Sequence, residues 1–208
     1  MKPKKILITG AAQRVGAELA RILHQQGHQL AITYNNSAAA AKELQQELAG
    51  LKIYQTDFCD SKNYQNLIKQ IAHDLAGLDV LINNAAIFIK DDNACPNTEL
   101  LEKHLAVNFV APVALTQQFI EITKQGLVIN ITDKLVAAQQ VKKFMSYVLS
   151  KKALSNYTEF ATANFAPAIK LVELRPELLI AGEYDQHKKI EQGALAAFTK
   201  QVVDIVNG

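Results

Sequence analysis

The sequence predicts an α/β protein: one doubly wound parallel sheet with helices on both faces, in a single domain over residues 1–208. Three observations lead there. Short apolar runs recur along the chain, helix-patterned stretches separate them, and the first run, Ile6-Leu7-Ile8, is apolar at consecutive rather than alternate positions. A strand apolar on both faces needs cover on both faces, and a parallel sheet between two helix layers supplies it. The intervening helices provide the crossovers that parallel neighbours require.

The elements follow in order. Ile6, Leu7 and Ile8 form the first strand, ended by Gly10. A helix follows, with Val15, Leu19, Ile22 and Leu23 on one side and Gly27 closing it. Residues 30–34 are a second strand, 38–48 a second helix, 51–56 a third strand and 61–75 a third helix. Val80, Leu81 and Ile82 make the fourth strand, and a loop runs to about residue 98. A helical region over 99–124 contains Pro112, which is expected to kink it. Strands at 127–131 and 169–174 flank a helix at 145–165, and the tail after Gly182 reads as helical to Val206. The sheet therefore has six or seven strands.

Composition narrows the partners. A net charge of +2 with no basic cluster argues against nucleic acid and for a small molecule. No run looks long enough to span a membrane, and the apolar stretch after Lys2, Lys4 and Lys5 is too short for a signal core. The expectation is a cytoplasmic protein. Cys59 and Cys95 read as free thiols. His24 and His28 lie at a helix end and make no metal motif, so no metal is expected.

In such sheets the ligand lies beyond the carboxyl ends of the strands, where strand order reverses. The first of those ends is Thr9-Gly10-Ala11-Ala12-Gln13-Arg14-Val15-Gly16. Gly10 can take the tight turn, Gly16 lets helix and strand approach, and the helix N-terminus offers N–H groups to a pyrophosphate. The second strand ends in Tyr34-Asn35-Asn36-Ser37, without the acid that commonly bonds an NAD ribose. With Arg14 in reach, the region favours a 2′-phosphate and hence NADPH. Asp57, after the third strand, either accepts from the adenine amino group or is a plain loop aspartate.

Tyr147 and Lys151 stand four apart on a helix, so both project from one face. A nearby ammonium favours tyrosinate and prepares the phenol for proton exchange. Read together, Thr9-Gly10-x-x-x-Arg14-x-Gly16, Asn83-Asn84-Ala85-Ala86, Val107-Asn108-Phe109-x-Ala111-Pro112 and Tyr147-x-x-x-Lys151 resemble the short-chain dehydrogenase/reductase family over about residues 4–182. The resemblance implies a Rossmann-type fold and an NADPH-dependent reductase. It implies Asn108, Asp133, Tyr147 and Lys151 as the catalytic group. In the family the residue matching Asn108 helps hold a proton-relay water through its helix backbone, and the one matching Lys151 binds the nicotinamide ribose. The resemblance further places Gly10, Gln13, Arg14, Val15, Asn35, Asn36, Ser37, Asp57, Phe58, Asn84, Ala85, Lys151 and Pro176 around the cofactor.

Three departures resemble the pteridine-reducing branch of that family: Arg14 for the middle glycine, Asp133 for the usual serine, and Phe88 after the Asn-Asn-Ala-Ala stretch. They imply a pterin or folate substrate touching Phe88, Asp133, Tyr147 and Glu177. An aromatic face at Phe88 can contribute roughly 1–3 kcal/mol of stacking to a flat heterocycle. Phe88 also fits plain loop packing, and Asp133 a turn or helix cap. Other features depart from the branch. The Asp133–Tyr147 spacing is one residue longer than usual, Ala86 and Ile87 replace polar residues, and Glu177 replaces a glycine. Glu177 can face the nicotinamide, the pterin edge or solvent. The C-terminal strand of the family is not evident, and a homodimer or homotetramer through the helices at 99–124 and 145–165 is expected. Two further readings stay open: reduction of another carbonyl, such as a 3-oxoacyl thioester or quinone, and a non-catalytic NADP-binding sensor or scaffold.

Overall fold

The computed structural model describes residues 2–91, 97–139, 143–165, 167–177 and 193–208. Along the chain run β1 (Lys5–Ile8), α1 (Arg14–Gln25), β2 (Gln29–Tyr34), α2 (Ala38–Glu47), β3 (Lys52–Gln55), α3 (Leu67–Asp74) and β4 (Val80–Asn83). There follow α4 (Thr98–Leu105), α5 (Ala111–Ile122), β5 (Gly126–Ile131), α6 (Met145–Phe165), β6 (Ile169–Leu174) and α7 (Ala194–Asn207). The strands form one six-stranded sheet in the order β3-β2-β1-β4-β5-β6. Every pairing is parallel, and Leu7 of β1 lies between Ala31 of β2 and Leu81 of β4. Strand order reverses between β1 and β4, which places the ligand crevice at their carboxyl ends.

The consecutive apolar residues of β1, β2, β4 and β5 divide between two cores, as the period of two requires. Ile6, Ile8, Leu30, Ile32 and Ile82 face one layer, with Leu19 and Leu23 of α1 and Phe198 and Val202 of α7. Leu7, Ala31, Leu81 and Val128 face the other, with Ile68 of α3, Leu115 and Phe119 of α5, and Ala161 of α6. The predicted helical tail survives as α7; its stretch from Gly182 to residue 192 lies outside the described residues. Among the described residues the sheet stops at six strands.

Two predicted helices differ in detail. The third divides into a 3₁₀ turn, Ser61–Tyr64, and α3, with Asn66 between them. The Asp60 side chain accepts the Lys62 N–H and so ends the preceding loop one turn early. The region predicted over 99–124 runs from Thr98 to Ile122, but its distortion precedes Pro112. A π-helical segment, Ala106–Val110, joins α4 to α5, with the Ala111 N–H on the Ala106 carbonyl. Pro112 then lies in the first turn of α5, where a missing N–H is tolerated. By length and composition this 25-residue run could cross a bilayer, contrary to expectation. It serves as a core element here: Val107, Ala111, Leu115 and Phe119 are buried against the sheet, and Glu99, Glu102 and Lys103 punctuate its start.

The glycine turn after β1 depends on contact with β4. Gly10 has φ of +62°, and a Cβ there would lie 2.8 Å from the Ala85 Cα. At Gly16 a Cβ would lie 2.6 Å from the Ala11 Cα and 2.8 Å from Asn84 Nδ2. Gly16→Ala is expected to destabilise the fold by about 2–3 kcal/mol through overpacking. In a thermal melt this should read as a Tm lower by roughly 5–10 °C.

Candidate active site

A cavity of about 970 Å³ opens at the carboxyl end of the sheet. Of the residues expected around a cofactor, Gly10, Gln13, Arg14, Val15, Asn35, Asn36, Asp57, Phe58, Asn84 and Ala85 line it. Ser37, Lys151 and Pro176 do not. Ser37 instead precedes α2 as its N-cap. Thr33, Tyr34, Thr56 and Cys59 complete the strand-end wall, and Glu99, Glu102 and Lys103 of α4 form the opposite one. The first group adjoins the predicted residues in sequence. The α4 group carries no local signal, because only the fold brings that helix across the cleft.

The walls suit an anionic dinucleotide. The Gly10 N–H donates to Thr33 Oγ1 at 3.0 Å and the Ala11 N–H to the Thr33 carbonyl at 2.9 Å, so the turn is tied to β2. Thr9 Oγ1 accepts the N–H groups of Asn84 and Ala85 at 3.0 and 2.9 Å, and Asn84 Nδ2 donates to the Thr9 carbonyl at 2.8 Å. The ends of β1 and β4 are thereby one unit. The Gln13 side chain makes no capping hydrogen bond to the first turn of α1, whose residues Arg14, Val15 and Gly16 border the cavity. Arg14 takes φ of +56°, the left-handed conformation for which the family's glycine is suited. On the cavity wall, Thr56 Oγ1 is buried without a partner among the described residues. The glycine cradle, the exposed helix start and this orphan hydroxyl fit a bound dinucleotide. Asp57 also lines the cavity, with Oδ1 accepting the Cys59 N–H at 2.9 Å.

Phe88, Asn108, Asp133 and Tyr147 do not line this cavity either; they cluster between the loop after β4, the end of β5 and the start of α6. Tyr147 is buried, and its hydroxyl donates to Asp133 Oδ2 at 2.9 Å. The other carboxylate oxygen, Oδ1, accepts the Leu135 N–H at 2.8 Å and starts the 3₁₀ turn Lys134–Ala137. Asp133 is therefore both a cap and the partner of the phenol. Lys151 is 3% exposed, and its ammonium donates to the Ile131 carbonyl at 2.8 Å. Burial pulls its pKa down to about 8, partly offset by the charge of Asp133.

Asn108 spends its side chain on architecture. Oδ1 accepts the Ile87 N–H at 2.8 Å, while Nδ2 donates to the Ile87 carbonyl and to Ser150 Oγ, both at 3.0 Å. Its position inside the π-helical segment concerns the backbone, which is where the family resemblance placed its role. Phe88 stacks parallel on Phe144, centroids 4.5 Å apart, and meets Tyr147 in a T-shaped contact at 4.7 Å. Pro176 accepts the Lys134 N–H on its carbonyl at 3.1 Å. Glu177 is exposed and pairs with Lys134 at 3.0 Å, on the outer rim of the turn. Phe144, Asp91 and His104 also belong to this constellation. None carried a motif: Asp91 is brought in by the loop from β4 to α4, His104 by α4 itself, and Phe144 by the start of α6. Among the described residues no cluster of three His, Cys, Asp or Glu could hold a metal. His24 and His28 are engaged in structural contacts, with Ala49 and with Lys4 and Asn207.

A parallel sheet with a glycine cradle at its switch point, and a tyrosine, lysine and acid at its mouth, defines a dinucleotide-dependent oxidoreductase. The chain belongs to the short chain dehydrogenase family, whose profile matches residues 4–182. It is similar to the dihydromonapterin reductase of Klebsiella pneumoniae, with 26% identity covering 99% of this chain and 89% of that protein. Among solved structures it resembles alternative dihydrofolate reductase 1 (FolM) of Brucella suis in complex with NADP. That likeness has a TM-score of 0.84 and 25% identity, over 99% of this chain and 89% of the other. A short chain dehydrogenase of Burkholderia cenocepacia in complex with NADP has a TM-score of 0.78 at 26% identity, over 83% and 73% of the two chains.

Lys151 offers a test that separates stability from chemistry. Its folded pKa, lowered from 10.5 to about 8, makes the buried ammonium a cost of about 3 kcal/mol at neutral pH. The folded state binds fewer protons between those two values, so stability gained from Lys151 rises with pH across that window. Lys151→Met is expected to lose turnover yet unfold at higher urea than wild type at pH 7. The gap should narrow between pH 8 and 10.5, as urea melts at several pH values will show.

Proposed function

We propose that the protein is an NADPH-dependent pterin reductase that reduces a C=N bond of a dihydropterin or dihydrofolate to the tetrahydro level. The observation that carries the reading is the 2.9 Å bond from the Tyr147 hydroxyl to Asp133, with the Phe88 ring packed against the same tyrosine. The usual serine of the family has no ionisable group to offer at that place. An acid beside the phenol suits protonation of a ring nitrogen, and an aromatic face suits a flat heterocycle. The names of the Klebsiella and Brucella relatives support the same substrate class, and the NADP complexes support the cofactor.

Gly10, Gln13, Arg14 and Val15 would hold the pyrophosphate and 2′-phosphate side of NADPH, with Asn35, Asn36 and Ser37 beside the ribose. Asp57 and Phe58 would border the adenine, and Asn84, Ala85, Lys151 and Pro176 the nicotinamide half. NADPH supplies the hydride that goes to the carbon of the C=N bond. The nitrogen takes its proton from Tyr147. The adjacent ammonium of Lys151 stabilises the phenolate so formed, and Asp133, half-buried, returns a proton to it from solvent. The loop bearing Phe88 supplies the wall against which the substrate ring packs. Glu177, on the rim, meets only the outer edge of such a substrate. Val110, Leu149 and Phe160 are 47%, 42% and 73% exposed on the helices expected to join subunits, which supports a homodimer or homotetramer.

Two measurements test this. NADPH oxidation with a panel of dihydropterins and dihydrofolate should show turnover by the wild type, and Tyr147→Phe should lower kcat by at least about 100-fold. Faster turnover of a 3-oxoacyl thioester or a quinone would point to the carbonyl reading, and full activity in Tyr147→Phe would end the mechanism. Arg14→Gly should raise KM for NADPH about tenfold, a loss of one charge-assisted contact, and leave KM for NADH little changed. The same change removes a left-handed non-glycine residue, so the variant should melt no lower than wild type.

A further inference from the structure

We infer that Asp91 is a positioning residue for this reduction, fixing the start of α6, and with it Tyr147, against the strap that carries Phe88; the inference rests on the reading of the site given above. The strap, residues 84–91, leaves β4 without regular structure. Buried side chains hold it at alternate positions. Asn108 takes both the N–H and the carbonyl of Ile87. His104, fully buried, accepts the Ile89 N–H on Nε2 at 3.2 Å while Nδ1 pairs with the Leu100 carbonyl at 2.9 Å. Desolvation keeps that imidazole below the usual histidine pKa, and its neutral form is the one that can accept. With Ile87 and Ile89 pinned on one side, Phe88 between them turns to Phe144 and Tyr147.

Asp91 ends the strap and joins it to the helix. It is 1% exposed. Its Oδ2 accepts the Ser146 N–H at 3.0 Å, and its Oδ1 accepts the Ser146 hydroxyl at 2.5 Å. Its own N–H donates to the Lys143 carbonyl at 2.8 Å. These bonds bracket Phe144, and Tyr147 is the next residue after Ser146. Lys143 is held at φ of +68°, a strained conformation that needs such support.

Capping alone does not explain a buried carboxylate. The exposed Asn97 caps α4, and the exposed Asp60 caps the turn after β3, each with a side chain in water. Placing an ion out of water costs several kcal/mol unless its geometry is fully satisfied. Among the described residues the satisfaction comes from Ser146 and the positive end of a 21-residue helix. What the buried arrangement adds is register. It sets the rotation of the first turn of α6 relative to Phe88, and so where the Tyr147 hydroxyl stands relative to a ring packed on Phe88.

The experiment compares wild type with Asp91→Ala, Asp91→Asn and Ser146→Ala, using NADPH and a dihydropterin. Asp91→Ala should lower kcat/KM for the dihydropterin by about tenfold to 100-fold, as expected for a misplacement near 1 Å. The Kd for NADPH, from fluorescence titration, should stay within about twofold, because the glycine cradle does not depend on the strap's far end. Asp91→Asn can still accept the Ser146 N–H and should recover most of the loss. Ser146→Ala, which keeps that bond, should show a smaller loss and serves where Asp91→Ala fails to fold. The idea is overturned if the substitutions lower Tm alone, or if NADPH binding and dihydropterin turnover fall together. A wild type that turns over no dihydropterin refutes the substrate and leaves Asp91 to amide hydrogen exchange. There, Asp91→Ala should expose residues 87–89 and 146–148 together, and unchanged protection of the strap would refute the positioning role as well.

Discussion

Lys151 carries its ammonium into a space almost without water and rests it on the carbonyl of Ile131. The arrangement is costly, since an ion loses its hydration on entering the protein. The carbonyl and the facing Asp133 offset part of that cost, and a pKa near 8 records the remainder. Around this point the site is organised. The carbonyl belongs to the last residue of β5, the ammonium to the second turn of α6, and the acid to the turn that follows β5. Sheet, helix and turn must therefore meet in one place before the phenol of Tyr147 has its partner.

That meeting is enforced by a polar thread through an otherwise apolar interior. Asn83 Nδ2 donates to Asn130 Oδ1 at 2.8 Å, and Asn130 Nδ2 donates to Thr158 Oγ1 at 2.8 Å, so β4, β5 and α6 are joined in sequence. Asn108 links the strap after β4 to Ser150, whose hydroxyl donates to the Tyr147 carbonyl at 2.6 Å. Thr9 and Asn84 do the same for β1 and β4. Hydrogen bonds of this kind add modestly to net stability but are expensive to leave unmade. Their effect is to allow a single register among elements whose apolar contacts would tolerate several. The glycine turn after β1 admits close approach of the chain, and the Tyr147–Asp133–Lys151 group is built from buried side chains at the end of β5.

Much of this was legible in the residue order. Consecutive apolar residues in strands marked the two-faced sheet, and Gly10, Gly16 and the Tyr147/Lys151 pair marked its working edge. The asparagine of Asn83 was recognisable as a central-strand feature, though its partner Asn130 was not. Less was legible where the chain has no period. The loop from β4 to α4 gave no pattern from which Asp91 could be singled out, nor did α4 single out His104, and Phe144 looked like any aromatic before a helix. The 3₁₀ turn before α3 and the π-helical segment before Pro112 also escaped, because a shift of one hydrogen bond leaves the apolar spacing almost unchanged.

What the amino-acid order determined by itself was the class of fold, the family, and which residues to propose for holding a dinucleotide and moving a proton. These are properties of spacing, and spacing is local. The aim of each group was settled only in three dimensions. Whether Asp133 served a turn or a phenol depended on where its two oxygens fell, and it serves both. Glu177, open to three roles in one dimension, is taken by Lys134 on the rim. Phe88 faces Phe144 and Tyr147 because residues far along the chain pin its neighbours. A side chain's chemistry is fixed at synthesis, but its direction is set by which distant donors and acceptors packing brings within about 3 Å.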